Sequence, residues 1–527
     1  MVQNCFSQSG GVSCNNVTNL TSFLPMRSQN AIIIGSGIAG MATAIRLAVQ
    51  GFDVHVYEKN TYPGGKLSAF EKDGYRFDAG PSLFTQPENI TDLFELAGES
   101  IENYFTYQPV EVACKYFFEN KKTVQAYTDH DRLADELATQ VSEDPKNVIN
   151  YLKRSERTYD RIGTVFLNHS LHKTKTWWHN RTAKALSALR LGFLFRSLHD
   201  YNSRMFSSPE TIQLFDRFAT YNGSNPYKAP AMLNLIPHLE LNQGTFYPSG
   251  GMISITDALY RLAKKKGVEF HFGKPVQRII HHEGKAKGIV VNDENVRADI
   301  IVSNGDVYFT YKNLLQNNHR VSKLMQQERS SSAVIFYWGI KRSFPQLQLH
   351  NILFSADYKK EFTCIFKTKQ LAADPTVYIN ITSKMENAQA PPGCENWFVM
   401  INAPANVGQN WEILKADLRK TVISKINRML DTDIEILIVT EQTSDPVLIE
   451  EQTASWKGSL YGTSSNSRLS AFLRHPNFTG TIKGLYFCGG SVHPGGGIPL
   501  CLNSARIVSE LIQQQSKRNS NRDKNIH

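Results

Sequence analysis

The chain of 527 residues is too long for one hydrophobic core, so two or more domains are expected. Its composition, 41% hydrophobic and 20% charged, is that of an ordinary globular protein, and its net charge of +10 suits an anionic partner such as nucleic acid or a phospholipid surface. No zinc-ligand spacing or RNA-binding signature occurs, so neither a metal nor a nucleic-acid partner is expected.

The N-terminal segment, residues 1–30, lacks the charged start and the apolar core of a signal peptide and is expected to be a flexible polar tail. Seven scattered cysteines without a CxxC pair indicate a reducing compartment. The longest apolar runs, such as Ala333–Ile340, are far shorter than the ~20 residues of a spanning helix. We expect a cytoplasmic protein that is not transmembrane but can lie on a membrane.

The first predicted elements form a dinucleotide-binding unit. Ala31–Ile34 is a short buried strand, Met41–Gln50 is helix-forming, and Val54–Tyr57 is the next strand. A GxGxxG motif joins the first strand to the helix, and an acidic residue follows the last glycine by 18 positions. The motif and the acid are Gly35, Ser36, Gly37, Ile38, Ala39, Gly40 and Glu58.

Each of these positions has a physical role in binding a dinucleotide. Gly35 allows a tight turn, Gly37 lets the backbone approach a pyrophosphate, and Gly40 lets the helix pack against the strand. The helix N-terminus offers free N–H groups and the positive end of its dipole to the phosphates. Glu58 can accept hydrogen bonds from ribose hydroxyls. A glycine-rich turn that binds nothing is the alternative, but strand, helix, strand and acid are all in register.

The stretch after the acid favours FAD over NAD. KNTYPGGK (Lys59–Lys66) and GYRFDAGPS (Gly74–Ser82) resemble the flavin-binding amine oxidase and phytoene desaturase superfamily, in which a GG-R/K motif follows the acid. The resemblance implies that the glycines pass close to the flavin diphosphate and that the second stretch lies near the isoalloxazine. Taken alone, Pro63–Gly65 is equally well an ordinary turn. The residues assigned to FAD here are Lys59, Gly64, Gly65, Lys66, Gly80, Pro81 and Ser82.

A second α/β block follows the YPSGG sequence. Ala258–Lys266 is a predicted helix that Gly267 ends, and strands are predicted at Val268–Phe272 and Val276–Ile280 and within Ala298–Asp306. The resemblance implies that this region returns to the FAD domain, with Val276 at the adenine and Asn304 bordering the cofactor.

The segments that follow this block are strand-like and rich in aromatic residues, which predicts a substrate domain with a mainly antiparallel sheet. These segments are Ala333–Ile340, Asn351–Phe354, Val377–Ile381, Trp397–Ile401 and Ile434–Thr440.

A basic segment near residues 171–206 carries seven lysines and arginines against the single acid Asp200. Leu186, Leu189 and Phe193 share a helical face, and Trp177–Trp178 precede it. Such a helix can lie in a lipid interface. The alternative is a solvated cationic face on a helix whose apolar stripe packs into its own domain.

The C-terminal region brings the chain back to a ligand. Leu485–Cys488 is a predicted strand, Gly489–Gly497 a glycine-rich turn, and Pro499 falls in the first turn of a following helix. With FAD in place, that helix N-terminus would stabilise the negative charge of the reduced flavin. The residues assigned to the cofactor in this region are Gly490, Ser491, Gly497, Ile498 and Pro499.

The same region is similar to the C-terminal signature of bacterial phytoene desaturase-type enzymes, G-x-[aromatic]-x-x-G-x-S-x-H-P-G-x-G-I-P. Gly458–Asn477, Phe218–Pro230 and Phe246–Met252 add to a resemblance that is greatest to the hydroxycarotenoid 3,4-desaturase branch. Val492 stands where the phytoene branch usually has Thr or Ala, and Gly496 is smaller than the usual residue. Both departures favour the hydroxycarotenoid branch.

The resemblance implies an α/β fold in which a Rossmann-like FAD-binding domain is interleaved with an α+β substrate domain. The expected division is a tail (1–30), three FAD-binding parts (31–95, 241–310 and 458–515), two substrate parts (96–240, which is also membrane-associating, and 311–457) and a disordered tail (516–527).

The activity implied by the resemblance is FAD-dependent desaturation of a carotenoid delivered from the bilayer. The expected substrate is hydroxylated, and the expected product carries a new 3,4 double bond. Oxygen or a quinone would accept the electrons. Phytoene desaturases, carotenoid isomerases and saturases share nearly all these motifs, and a prenyl-lipid carrier on the same fold is a further alternative. The two intact glycine loops argue against a carrier.

No catalytic side chain follows from the sequence. Arg217, Tyr221, His238 and Glu240 lie in motif-like segments, and His493 precedes Pro-Gly in the late loop. Each is a candidate for proton transfer, and each is equally a candidate for a packing or loop-shaping role, because a general base is defined by geometry before pKa.

Overall fold

The computed structural model describes residues 29–173, Thr176, 195–467 and 474–524. The strands in these parts of the chain are β1 (Asn30–Ile34), β2 (Asp53–Tyr57), β3 (Ala69–Lys72), β4 (Tyr75–Asp78), β5 (Tyr107–Val110), β6 (Val112–Phe117), β7 (Thr123–Tyr127), β8 (Thr245–Pro248), β9 (Glu269–His271), β10 (Val276–His282), β11 (Lys285–Val291), β12 (Glu294–Arg297), β13 (Ile300–Ser303), β14 (Ser332–Ile340), β15 (His350–Leu353), β16 (Val377–Ile381), β17 (Glu395–Ala403), β18 (Ile438–Ser444) and β19 (Leu485–Phe487).

The α-helices in the same parts are α1 (Ile38–Val49), α2 (Glu88–Leu96), α3 (His130–Val141), α4 (Pro145–Thr158), α5 (Thr164–Asn168), α6 (Leu198–Met205), α7 (Pro209–Asp216), α8 (Ile253–Lys265), α9 (Val307–Phe309), α10 (Asn318–Met325), α11 (Tyr358–Thr363), α12 (Trp411–Leu430), α13 (Pro446–Thr453) and α14 (Ile498–Lys524). Short 3-10 and π-helical turns connect several of them.

A five-stranded parallel sheet has the order β19-β13-β1-β2-β9. Its strands are short and apolar because both faces are covered, and β1 and β13 are buried along nearly their whole length. Helices α1, α8 and α14 pack on one face through a shared core that includes Ile45, Leu259 and Val508. The GxGxxG loop therefore lies at the carboxyl end of a buried strand, as predicted.

A seven-stranded sheet has the order β18-β14-β17-β16-β15-β6-β7. All of its pairs are antiparallel except β15 with β6. The interior strand β14 is buried at all nine positions, and α12 covers one face through Val422 and Ile426. The fold class is confirmed: a parallel α/β unit is combined with a mainly antiparallel second sheet.

The strands of the two large sheets come from alternating parts of the chain. The parallel sheet takes strands from within 31–95, 241–310 and 458–515, apart from Asn30 at its first position, and the seven-stranded sheet takes them from within 96–240 and 311–457. This is the pattern that interleaved domains require, and the exact division into domains stays a prediction.

Two local expectations are wrong. The segment Ile434–Thr440 is not one strand, because Ile434 is buried as an anchor, Glu435–Leu437 form a 3-10 turn, and β18 begins only at Ile438. The C-terminal residues 516–524, expected to be disordered, continue α14. The buried face of that helix, which includes Ile512, anchors it, and the lysines and arginines among the residues that follow favour the helix.

Candidate functional site

A cavity of about 870 Å³ lies between the carboxyl end of the parallel sheet and the seven-stranded sheet. One wall consists of the glycine-rich loops that follow β1 and β19. The opposite wall carries aromatic and aliphatic side chains of the seven-stranded sheet, among them Ile335, Tyr337, Phe398 and Met400.

The first glycine loop brings the N-terminus of α1 to this cavity. Gly35 has φ +96°, a conformation that favours glycine, and its turn leads into α1 with Gly37 at the N-cap. A Cβ at Gly37 would lie 2.7 Å from Nδ2 of Asn304, so a larger residue there would displace the Asn304 side-chain amide. The first turn of α1 contains no acidic residue, which leaves its positive dipole end available to an anion.

Glu58 lies beside this loop with 5% of its surface exposed. Its Oε2 accepts hydrogen bonds from the Ser36 backbone N–H (2.7 Å) and hydroxyl (2.9 Å), and its Oε1 accepts one from the Asn60 N–H (2.9 Å). These bonds fix the carboxylate at the cavity wall. Because a carboxylate has about four acceptor sites, it can still accept from the hydroxyl of a ribose.

The Pro-Gly-Gly-Lys turn forms the adjoining wall. Gly64 and Gly65 have φ +102° and +61°, and a Cβ on Gly64 would lie 2.7 Å from Thr256 Cγ2. Lys66 donates a hydrogen bond to the Leu460 carbonyl oxygen at 2.9 Å, and burial lowers the pKa of its ammonium group to about 8. This turn therefore places at the cavity a lysine whose charge changes with pH near neutrality.

The late glycine loop closes the same cavity and starts α14. Ser491 Oγ accepts a hydrogen bond from the Val307 N–H at 3.1 Å, which ties this loop to the end of β13. A Cβ on Gly496 would lie 2.9 Å from Tyr461 Cδ1. The loop thus presents backbone and the N-terminus of a second helix to the cavity.

Most of the sequence-predicted cofactor residues line this one cavity. They are Gly35, Gly37, Ile38, Ala39, Glu58, Lys59, Gly64, Gly65, Lys66, Gly80, Pro81, Ser82, Val276, Asn304, Gly490, Ser491, Gly497, Ile498 and Pro499. Ser36 and Gly40 lie behind the wall: Ser36 holds Glu58, and Gly40 is packed against Gly35 and Asn304, the helix–strand contact expected of the third glycine.

These residues fit FAD. Two helix N-termini, glycine loops with several positive φ angles and a buried carboxylate suited to a ribose share one cavity. The contact of each residue with FAD stays a prediction.

The cavity is lined by three of the five catalytic candidates, Arg217, Tyr221 and Glu240, and not by the other two. Arg217 and Glu240 form an ion pair with Nη2 and Oε1 2.8 Å apart, and both line the cavity. His238 packs against Tyr159, and the buried His493 donates its Nε2–H to the His169 carbonyl oxygen at 2.9 Å. Neither histidine is among the lining residues, so contact with a substrate in this cavity is not supported for either of them.

His493 shapes its loop. Burial lowers its pKa to about 4, so the ring is neutral at neutral pH and serves as a hydrogen-bond donor to the backbone. This is the loop-shaping alternative considered for the sequence.

Several cavity residues were not singled out from the sequence. Ser82 and the Tyr378 hydroxyl lie 2.8 Å apart, and the Tyr378 hydroxyl lies 2.7 Å from Nδ1 of His350. Beside the flavin loops, Asp306 forms an ion pair with Arg329. The available signal for these cavity residues was the polar side chains of β15 and β16. Buried strands of an apolar sheet are mostly apolar, so His350 and Tyr378 indicate a functional or hydrogen-bonding role at these positions.

The basic segment lies largely outside the described residues. Of its described members, Lys173 places its Nζ 3.9 Å from the ring centroid of Phe478, and the exposed Arg196 precedes α6. Within the described ranges, no helix combines the length and apolar character needed to cross a membrane. Association with a membrane surface stays a prediction.

No metal was expected, and that also stays a prediction. His55, Glu269 and His271 bring one potential ligand atom each within 4.8 Å of one another at the edge of the parallel sheet, outside the cavity.

Comparison with known proteins identifies the family of this chain. The profile described as "Flavin containing amine oxidoreductase" matches residues 38–513, a range that contains the end of the first glycine loop, all of the late glycine loop and every strand of the two large sheets except β1. The chain belongs to this family. Its cofactor is FAD, and the fit of the cavity described above agrees with that.

Among curated relatives, this flavin-containing oxidoreductase is 51% identical over 485 residues to the 1-hydroxycarotenoid 3,4-desaturase of Flavobacterium sp. (strain P99-3), covering 92% of this chain and 99% of the relative. It is 33% identical over 490 residues to the 4,4'-diapolycopene oxygenase of Methylomonas sp., covering 92% and 98%. The resemblance found from the C-terminal motif is confirmed.

Solved structures support the fold alone. An oxidoreductase from Methanosarcina mazei aligns with a TM-score of 0.61 at 15% identity, covering 92% of this chain and all of the other. A triple mutant of putrescine oxidase aligns with a TM-score of 0.61 at 13% identity, covering 93% and 99%. At such low identity, only the architecture transfers.

Proposed function

We propose that this protein is an FAD-dependent carotenoid desaturase that introduces a double bond between C3 and C4 of a 1-hydroxylated carotenoid. The observation that carries the proposal is the 51% identity to a 1-hydroxycarotenoid 3,4-desaturase over nearly the full length of both chains. The cavity supports it, because one chamber joins the flavin loops to the apolar wall of the seven-stranded sheet.

The reaction removes two hydrogens from adjacent carbons, one as a hydride and one as a proton. When bound, FAD supplies the hydride acceptor. The protein positions the polyene and keeps water out: Tyr337 and Phe398 lie in edge-to-face contact on the wall opposite the flavin loops, with Met400 beside them. The protein must also hold the C3–C4 bond of the carotenoid next to the flavin.

Two finer features belong to the same proposal. The substrate dissolves in a bilayer, and the net charge of +10 together with the basic segment near 171–206 suits an anionic membrane surface. Electrons leave the reduced flavin for oxygen or a quinone.

The test uses purified protein that shows a flavin absorption band, mixed without oxygen with phosphatidylcholine vesicles that contain a 1-hydroxylated acyclic carotene. We expect the flavin band to bleach while the carotenoid spectrum shifts to longer wavelength, and the product to be lighter by two hydrogens. Return of the flavin band with oxygen or with a quinone then separates the two acceptors.

Three results would contradict the proposal. A changed carotenoid spectrum at unchanged mass would indicate isomerisation, and a gain of oxygen in the product would indicate the oxygenase activity named for the more distant relatives. Protein without flavin that still binds the carotene would indicate a carrier.

A further inference from the structure

The ion pair of Arg217 and Glu240 lies at the substrate end of the cavity. Arg217 follows α7 in a 3-10 turn, Glu240 lies in a π-helical turn, and their exposed fractions are 8% and 1%. The guanidinium also lies over the rings of Phe218 and Tyr221, with its carbon 4.6 and 5.3 Å from their centroids. Two charges are thus held in an otherwise largely apolar core.

Burying such a pair is costly unless its remaining polar atoms also find partners. Glu240 Oε2 and Arg217 Nε have no hydrogen-bond partner among the described residues. Burial raises the pKa of Glu240, and Arg217 opposes that shift. The pair therefore has polar atoms without hydrogen-bond partners at the wall of a cavity. A polar group of a bound ligand could supply those partners.

A third polar group belongs to the same patch. Nδ1 of His350 accepts from the Asn380 side-chain N–H (3.1 Å) and lies 2.7 Å from the Tyr378 hydroxyl oxygen, so the proton of the neutral ring is on Nε2. That Nε2 has no partner among the described residues, and His350 lines the cavity with 2% of its surface exposed. Burial and then the nearby Arg217 lower the pKa of His350 to about 3, so the ring stays neutral.

This patch is close to the flavin loops. Two hydrogen bonds lead from His350 through Tyr378 to Ser82, which lines the same cavity as the glycine loops. A ligand group held by the patch therefore lies near the part of the substrate that meets the flavin.

We propose that Arg217 and Glu240 bind the 1-hydroxyl group of the carotenoid and so set which bond is desaturated. The proposal rests on the proposed function. In a 1-hydroxylated chain, three covalent bonds of roughly 1.5 Å each separate the hydroxyl oxygen from C3, so holding the hydroxyl places C3 and C4. The hydroxyl accepts from a free guanidinium N–H of Arg217 and donates to the Glu240 carboxylate, and His350 is a neighbouring donor.

The pair acts as a specificity and positioning element and carries no proton in the reaction. A site built to hydrogen-bond a hydroxyl rejects the analogue that lacks it, because its buried polar groups are then left without partners. We expect the wild-type enzyme to prefer the 1-hydroxylated carotene over the same carotene without the hydroxyl by at least about a hundredfold in kcat/KM.

The experiment compares these two carotenes in phosphatidylcholine vesicles, with the wild type and the double variant Arg217→Met/Glu240→Leu. Removing both charges together avoids an unpaired buried charge, so this variant is expected to fold and to retain FAD. Its preference should fall to within about threefold of unity, through loss on the hydroxylated carotene and gain on the other. Glu395→Gln is the matched control, because Glu395 is a buried carboxylate paired with Lys384 away from the cavity, and its change should leave the preference intact.

A binding readout separates recognition from turnover. The chemically reduced holoenzyme cannot accept a hydride, so quenching of tryptophan fluorescence measures equilibrium binding of each carotene. The double variant should lose at least about tenfold in affinity for the hydroxylated carotene alone.

Should the double variant not fold, a second variant tests the proposal. Arg217→Lys keeps the charge but loses the planar donor fork, so it should lower the kcat/KM preference for the hydroxylated carotene about tenfold.

The outcomes are distinct. A folded variant at Arg217 or Glu240 that keeps the wild-type preference overturns the hydroxyl subsite. A wild type that desaturates both carotenes equally also overturns it while leaving the proposed function standing. A wild type that desaturates neither contradicts the proposed function itself.

Discussion

Glu58 shows how one side chain links sequence motif to cofactor site. It directly follows β2, and the N–H groups of Ser36 and Asn60 hold its two carboxylate oxygens at the cavity. The acid in a dinucleotide motif is usually described as the acceptor of hydrogen bonds from the ribose hydroxyls. Here it also fixes the glycine loop, since Ser36 belongs to that loop.

Replacing Glu58 by Gln should weaken FAD binding by about 10- to 100-fold. A neutral amide accepts weaker hydrogen bonds than a carboxylate, a loss of about 1.5–3 kcal/mol, and each 1.4 kcal/mol is tenfold. Titration of the apoprotein with FAD, followed by flavin fluorescence, measures the change. Asp53→Asn, at the exposed start of the same strand, is the control, and equal FAD affinity of Glu58→Gln and the wild type would contradict the assignment.

Lys66 predicts opposite effects of pH on two properties. Burial lowers its pKa from 10.5 to about 8, so between these values the unfolded apoprotein binds more protons than the folded one. The free energy of unfolding of the apoprotein should then rise with pH across this window, by at most about 1.4 kcal/mol per pH unit from this residue. FAD affinity should instead fall above pH 8, as the lysine near an anionic cofactor loses its charge.

Urea unfolding of the apoprotein and FAD titration between pH 7.5 and 9.5 measure both trends. Lys66→Met should flatten each curve relative to the wild type. Parallel curves for the variant and the wild type would show that Lys66 does not titrate in this range.

At the scale of elements, two neighbouring interior strands of the seven-stranded sheet carry a matched pair of tryptophans. Trp338 on β14 lies directly opposite Trp397 on β17, and neither is exposed. Nε1 of Trp397 donates to Glu395 at 2.8 Å, whereas Nε1 of Trp338 has no partner among the described residues. The two tryptophans are buried in the same hydrophobic cluster and differ in hydrogen bonding.

Trp397→Phe should therefore destabilise the holoenzyme more than Trp338→Phe, by about 1–3 kcal/mol. The same volume is lost at both sites, but only the first change takes a donor from a buried carboxylate, while the second removes an unsatisfied donor. Urea unfolding followed by circular dichroism compares them. Equal losses of stability would mean that the Glu395 hydrogen bond contributes nothing.

The sequence predicted the elements whose signals are local. The glycines around Gly37, the acid at Glu58 and the proline at the start of α14 are each read from a few neighbouring residues, and they meet at one cavity. What the sequence did not show depends on distant partners. The parallel pairing of β6 with β15 and the placement of Arg217 and Glu240 at the cavity arise only when separated segments pack together.

Histidine roles illustrate the same limit. His493 precedes a Pro-Gly pair in the flavin signature, which made it a candidate, yet its ring turns to a backbone oxygen. His350 directly precedes a segment predicted only as a strand, Asn351–Phe354, yet it lines the cavity. Direction of a side chain is set by packing that one sequence does not reveal.

At the scale of the whole molecule, the net charge of +10 predicts adsorption to anionic membranes. The protein should float with vesicles that contain phosphatidylserine and be released by high salt, because each basic residue near the surface contributes about 1 kcal/mol that salt screens. Replacing five basic residues of the segment by Gln should lower partitioning at least about tenfold. These residues are Lys173, Lys175, Arg181, Lys184 and Arg190.

The control replaces five exposed lysines elsewhere: Lys274, Lys285, Lys287, Lys323 and Lys360. Since the net charge then changes equally, a segment-specific contact predicts a smaller loss for the control. Equal losses would indicate that overall charge, rather than this segment, attracts the protein to lipid.

The place of β19 in the parallel sheet has a consequence for biosynthesis. β19 pairs with β13 next to β1, so the sheet that holds the first glycine loop lacks a strand until Phe487 has been translated. At about 5–20 residues per second, the ribosome takes roughly half a minute to a minute and a half to travel from β1 to β19. The nascent chain must hold an unfinished sheet for that time, and FAD becomes a ligand only of a chain that is almost completely synthesised.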